Sequence, residues 1–237
     1  MSRMSEDEER EGLIQGRMVC LAPSSDSDFK LAEAWLNPKS KAAALTGDTD
    51  QEMTAEGLRG RRDDGSAVFF TILAGSLGPV GIVTYRRLGF GSFALAGAVG
   101  PEELWSRGFG FDAFGAMIYY LFTREKAARV EVTAGMQNPA MVRMLTNSHF
   151  FVLEGVTRKS LLAEGRRYDQ IVWSMLREEF EDAYEEEVLV SENSSDSEGF
   201  ITDADVEASA KALRSYLSSS PWVSINAYTE DAATSRP

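Results

Sequence analysis

The residues best suited to chemistry form one short run, Trp105-Ser-Arg107-Gly108-Phe109-Gly110-Phe111, which follows a strand ending near Val99 and enters a helix. A helix entered this way points unpaired backbone N–H groups and the positive end of its dipole at one spot, and an anion is the natural occupant. Glycine suits the spot because a Cβ would hold a diphosphate away from the backbone, and Arg107 adds a cation beside it. A lone Gly-x-Gly more often shapes a plain turn. Gly108-Phe-Gly110-Phe-Asp-Ala113 also fits the G-x-G-x-x-A dinucleotide fingerprint, with Glu131 as its acidic residue. Spacing argues against that fit: residues 100–107 separate the glycines from the strand, and the preceding strands read as hairpins rather than a parallel βαβ unit. The Gly-Lys-Ser/Thr ending of a nucleotide-hydrolase phosphate loop is absent from the sequence.

Other chemistries are narrowed by counting. The chain has one cysteine, Cys20, and one histidine, His149, so an internal disulfide and a multi-thiolate or multi-imidazole metal site are excluded. Ser-His-Asp and Cys-His mechanisms would both have to use His149. No metal is expected.

The elements that must carry the run follow from periodicity. A strand is expected over residues 17–21, then a helix capped by the Ser and Asp residues after Pro23 and running through Phe29, Ala32, Trp35 and Leu36 to Asn37-Pro38. Residues 39–66 are small and polar, with a short helix expected over 54–61. Residues 67–74 and 80–87, separated by a turn at Gly75 to Gly78, and a third strand that Gly89 and Gly91 open and that runs through Phe93, Leu95 and Val99, read as an antiparallel meander. Phe114, Met117, Ile118, Leu121 and Phe122 then mark one face of a helix over 111–125. A strand at 129–134, a helix begun by Asn138-Pro139, and strands at 150–153 and 170–176 complete an α/β (α+β) domain, a mostly antiparallel sheet flanked by helices.

The net charge of −13 lies at the ends of the chain. Residues 178–198 hold ten acidic residues and no basic one, whereas residues 12–177 hold 19 Lys and Arg against 17 Asp and Glu. An acidic tail opposes phosphate backbones, so nucleic acid is not an expected partner. No apolar run approaches the roughly 20 residues of a membrane span, and the leader over 1–11 is acidic where a secretory signal is basic then apolar. The protein is therefore expected to stay in the cytoplasm, away from membranes, as a monomer or homodimer. Three regions are expected: the leader (1–11), the domain (12–180), and a tail (181–237) made of an acidic linker and a short amphipathic helix at 203–217.

Residues 100–113, Gly-Pro-Glu-Glu-Leu-Trp-Ser-Arg-Gly-Phe-Gly-Phe-Asp-Ala, resemble the coenzyme-binding signature of the GNAT acyltransferases. Asn138-Pro-Ala-Met141-Val-Arg143-Met-Leu145-Thr-Asn147-Ser148-His149-Phe150 resembles their Asn-led helix. His149-Phe150 with Leu153-Glu154-Gly155 is similar to the branch that acetylates N-termini of ribosomal proteins. Residues 16–38 and 165–178 resemble the family's opening and closing elements, so the likeness spans residues 12–180.

The resemblance implies a GNAT fold, acetyl-CoA as acyl donor, and an amine that attacks the thioester carbonyl directly. It implies that Val99, Trp105 and the stretch Arg107, Gly108, Phe109, Gly110 and Phe111 hold pantetheine and pyrophosphate. Asn138 would bond the pantetheine arm, beside its plain reading as a helix cap, and Arg143 and Asn147 would lie toward the coenzyme's far end. The family's acid and base positions fall on Leu145, Met141 and Leu161, none of which transfers a proton. Glu154, Ser148 and Glu102 are the nearest substitutes in sequence; the alternatives are proton transfer through water, or a domain that binds the coenzyme without acetylating. An α-amine of pKa near 8 is about a tenth neutral at pH 7, a lysine amine near 10.4 only about once in several thousand molecules. A site without a strong base therefore suits the α-amine of a peptide or protein, with a small amine such as an antibiotic or polyamine as the alternative acceptor.

Overall fold

A computed structural model describes residues 13–46, 53–148 and 150–184. His149, the acidic leader, the linker beyond residue 184 and the helix expected at 203–217 lie outside them.

The elements follow in the order β1 (Ile14–Gln15), β2 (Cys20–Pro23), α1 (Asp26–Trp35), α2 (Lys41–Thr46), α3 (Ala55–Asp63), β3 (Val68–Leu73), β4 (Pro79–Gly89), β5 (Ser92–Val99), α4 (Phe109–Thr123), β6 (Arg129–Gly135), α5 (Pro139–Ser148), β7 (Val152–Ala163), β8 (Arg166–Leu176) and α6 (Arg177–Tyr184). One eight-stranded sheet runs β1-β2-β3-β4-β5-β6-β8-β7. Every neighbouring pair is antiparallel except β5–β6, which is parallel. That exception follows from α4, which carries the chain back along the sheet between the two strands.

Strand alternation sorts the core onto two faces. Phe70 and Val83 join Met117, Leu121, Val130 and Leu145 beneath α4 and α5. Their neighbours Phe69 and Ile82 turn the other way and pack with Phe29 and Leu58 beneath α1 and α3. Helix α1 begins at a capping box in which Ser25 and Asp28 each bond the other's backbone N–H. Asp26 binds both Arg59 and Arg62, tying α1 to α3 on the outer side.

The strand expected over 17–21 begins later, at Cys20, because the N–H groups of Arg17, Met18 and Val19 are engaged elsewhere, on a carboxylate described below. Helix α2 was not expected at all. Strand β7 is 12 residues long where residues 150–153 were expected, since it lies at the sheet edge and its exposed residues carry no two-residue period. Residues 181–184, read as the start of the acidic linker, belong to α6 (Arg177–Tyr184), anchored by Phe180, whose ring stacks on Phe122 at 4.5 Å. Among the described residues no helix is long and apolar enough to cross a membrane.

Candidate active site

The site starts at the N-terminus of α4. Gly108 is the N-cap, in the left-handed region at φ 88°, where a Cβ would be strained. No side chain caps the helix, and its first internal bond runs from Asp112 N–H to Gly108 C=O at 3.0 Å. The N–H groups of Phe109, Gly110 and Phe111 thus have no intrahelical acceptor. Ser106, just before, holds φ 62°, a conformation that non-glycine residues adopt at a cost of order 1 kcal/mol.

Asp112 lies in this first turn, yet its carboxylate turns outward and accepts the N–H groups of Arg17, Met18 and Val19 at 3.0, 2.7 and 2.9 Å. Burial pushes its carboxyl up, and the three backbone donors outweigh that and hold it below the usual aspartate value. The β1–β2 connection is thereby fastened to the helix, and the helix's positive end is left facing a cavity.

That cavity, about 310 Å³, is lined by Ser106 and Gly108 to Phe111 at one end and by Val99, Asn138, Met141 and Met144 further in. A second cavity of about 230 Å³ lies toward α3, lined by Leu58, Arg61, Phe69, Ile82, Thr84 and Thr133 among others. The two share Leu45, Thr46, Gly97, Ala98, Phe114, Asn138 and Met141. They share those residues because β5 and β6 stop pairing after Leu95 and Val132, although each strand continues for three or more residues. Gly100 donates to Val80 at 2.9 Å, so alternation along β5 turns the backbone groups of Val99 and Gly97 away from β4, into the gap. The Val99 carbonyl accepts the indole N–H of Trp105 at 2.9 Å. A Cβ on Gly97 would press on Ile82 O and the Phe114 ring, at 2.9 and 3.0 Å. A glycine isolated inside a strand was the sequence signal for this close approach.

Helix α2 roofs the gap. Asn138 is the N-cap of α5, its Oδ1 accepting Met141 N–H at 3.1 Å, and its Nδ2 donates to Leu45 C=O at 3.2 Å. Gln137 Nε2 donates to Ala44 C=O at 3.2 Å. The two amides therefore satisfy carbonyls at the C-terminal end of α2. At the other end, Lys41 pairs with Glu102 and sits 5.3 Å from the Trp105 ring centroid. Contacts between segments some 60 to 90 residues apart leave no local sequence signal, and Lys41, Gln137 and Arg61 were not foreseen.

The remaining expected residues are scattered. Arg107 is exposed and lines neither cavity. Arg143, Asn147 and Ser148 line a groove outside, beside Phe111 and Phe150, and the Ser148 hydroxyl donates to Leu145 C=O at 2.9 Å. Glu154 accepts from Arg129 at 2.6 Å and Ser174 at 2.5 Å, which hold its carboxyl low, and it lines neither cavity. Glu102 is committed to Lys41. Leu145 and Leu161 are buried, and only Met141 of the three apolar substitutes reaches the cavities. Among the described residues, no carboxylate, tyrosine, histidine or cysteine lines either cavity.

An uncapped helix end and a cavity leading from it into a gap between diverging strands have the shape and the positive end that an elongated anionic ligand would fit. A family model described as Acetyltransferase (GNAT) domain matches residues 19–150, and the chain belongs to that family of acyl-CoA-dependent N-acetyltransferases. A search of the curated proteins finds no match. Among solved structures, a ribosomal-protein-S5-alanine acetyltransferase from Vibrio fischeri is similar at 18% identity and a TM-score of 0.59, over 70% of this chain and 97% of that one. A GNAT-family acetyltransferase from Bacillus anthracis gives 16% and 0.57, over 70% and 99%. Mutant forms of a spermidine/spermine N-acetyltransferase from Vibrio cholerae give 16% and 0.58, over 70% and 98%. At these identities the likenesses show the fold.

Proposed function

We propose that the protein transfers an acetyl group from acetyl-CoA to the α-amine of a peptide or protein in the cytoplasm, as does the branch acting on ribosomal-protein N-termini that its sequence resembles. The observation that carries this reading is the lining of the two cavities, which among the described residues offers no group able to take a proton near neutral pH. An amine that is already partly neutral at pH 7 needs no such group, and an α-amine meets that condition where a lysine amine does not.

The donor supplies an activated acyl group held as a thioester. The open N–H groups of Phe109, Gly110 and Phe111 suit its diphosphate, as charge-assisted donors at the positive end of a 15-residue helix. The edge of β5 that β6 leaves unpaired at Gly97 and Val99 suits the amides of the pantetheine arm, which would add to it as a strand adds to a sheet edge once the Trp105 indole releases the Val99 carbonyl. Asn138 keeps one N–H for the same arm while it caps α5. Arg143 and Asn147 border the outer groove, where the nucleotide end would emerge. The acceptor enters through the second cavity, from the α3 side. Its nitrogen bonds to the acyl carbon as the C–S bond breaks and coenzyme A leaves as the thiolate, and the proton lost by the nitrogen passes by way of water to that thiolate, giving the free thiol.

The test is mass spectrometry of a native lysate incubated with the protein and isotopically labelled acetyl-CoA. Label is expected on protein N-termini. Label confined to lysines or small amines, or none while acetyl-CoA binds, would overturn the assignment.

A further inference from the structure

The inference rests on that α-amine reading and narrows the acceptor. The second cavity, about 230 Å³, has walls of Leu36, Met53, Leu58, Phe69 and Ile82. Its volume exceeds the roughly 150 Å³ of an apolar cavity that holds one benzene, room for a single side chain with its amine. Among the described residues that line it, one alone is charged, Arg61, and it is a cation.

Arg61 is free to act on what enters. Its neighbours on α3, Arg59 and Arg62, are both spent on Asp26. Arg61 lies instead with its guanidinium carbon 5.8 Å from the Phe69 ring centroid, over a wall of the cavity. It makes no ion pair among the described residues. Ser66 and, more weakly, the charge of Arg61 hold the Asp64 carboxyl below its usual value, without an ion pair between Asp64 and Arg61.

A cationic acceptor would thus leave water for a pocket whose described lining offers threonine hydroxyls and amides but no carboxylate, and would meet a positive charge on the way in. An apolar side chain there gains the burial that the walls offer. We propose that this cavity receives the first side chain of the acceptor peptide, that this side chain is apolar and of leucine or methionine size, and that Arg61 turns away polycationic amines and peptides with a basic first residue.

The test uses the full-length protein, acetyl-CoA and hexapeptides that differ only in the first residue (Leu, Met, Ala, Asp or Lys), with spermidine and a peptide blocked at its N-terminus alongside. Release of coenzyme A is followed, and product mass locates the acetyl group. The Leu and Met peptides are expected to exceed the Asp and Lys peptides in kcat/KM by roughly 10- to 100-fold, with spermidine below both. Equal rates for all first residues overturn the pocket assignment and leave the α-amine reading standing. Acetylation of the blocked peptide or of spermidine alone, or of no amine, overturns the α-amine reading itself. Arg61→Glu, on an exposed helix position, is expected to raise the Lys peptide relative to the Leu peptide by about tenfold; an unchanged ratio removes Arg61 from the selection.

Discussion

Replacing Asp112 by Asn tests how the β1–β2 connection is fastened to the helix that faces the coenzyme cavity. Oδ1 accepts from Arg17, and Oδ2 accepts from both Met18 and Val19, at 2.7 to 3.0 Å. An asparagine keeps one acceptor oxygen and turns an NH2 toward the remaining donors, so at least one backbone N–H loses its partner. Hydrogen bonds to a charged group contribute about 1.5–3 kcal/mol each, and favourable placement in a helix's first turn adds about 0.5 kcal/mol. Discounting for the half-exposed site, the loss is about 2–3 kcal/mol, or roughly 5–10 °C in Tm for a domain of this size. Because the folded carboxyl is held below its ordinary value of 3.8, its stabilisation is fully present above that value and is lost as pH falls through the folded one. Thermal unfolding followed by circular dichroism should show the full gap at pH 7 and pH 5, narrowing below about pH 4. A gap under about 1 °C at pH 7, or one that stays constant down to pH 3, would refute the account.

Three further outcomes are expected. Gly81→Ala would place a Cβ 2.3 Å from the Ala98 carbonyl oxygen and 3.0 Å from Val99 Cα, backbone atoms that cannot swing aside, and should lower the urea midpoint by about 2–3 kcal/mol equivalent with an unchanged slope. Acetyl-CoA titration should change tryptophan fluorescence as the Trp105 indole gives up the Val99 carbonyl, and Trp105→Phe should lose most of that change while still binding; an undiminished signal would place the coenzyme elsewhere. With a peptide acceptor, kcat/KM should climb with unit slope and level off near pH 8, the acceptor's own pKa. A plateau reached near pH 6 would reveal a protein base that the cavity linings do not contain.

The elements at the proposed coenzyme end were legible because they are built from local features. Gly108 and Gly110 stand at a helix entry, and the apolar face of α4 recurs at helical spacing over Phe114, Met117, Leu121 and Phe122. Asn138-Pro139 likewise announces α5, as its cap and first residue. The acceptor end was not legible, because its walls come from α2, α3, β4 and β6, and what unites them is burial against one another. Helix α2 has a cap, Ser40, whose hydroxyl accepts Ala43 N–H at 3.1 Å, but its six residues are too few to show a helical period; Gln137 and Asn138, some 90 residues on, satisfy its last carbonyls. The same blindness hid α6, where the acidic run reads as linker until Phe180 finds Phe122.

By itself, then, the sequence determined the family, the apolar face and glycine entry of α4, and that the residues at 141, 145 and 161 are apolar. Only the tertiary structure decided that β5 and β6 part after Leu95, that Trp105 occupies the Val99 carbonyl, and that Arg61 is the charge beside the second cavity. The division has a physical cause: helix entries and apolar periods are set by neighbours in the chain, whereas the character of a cavity depends on which distant side chains close it.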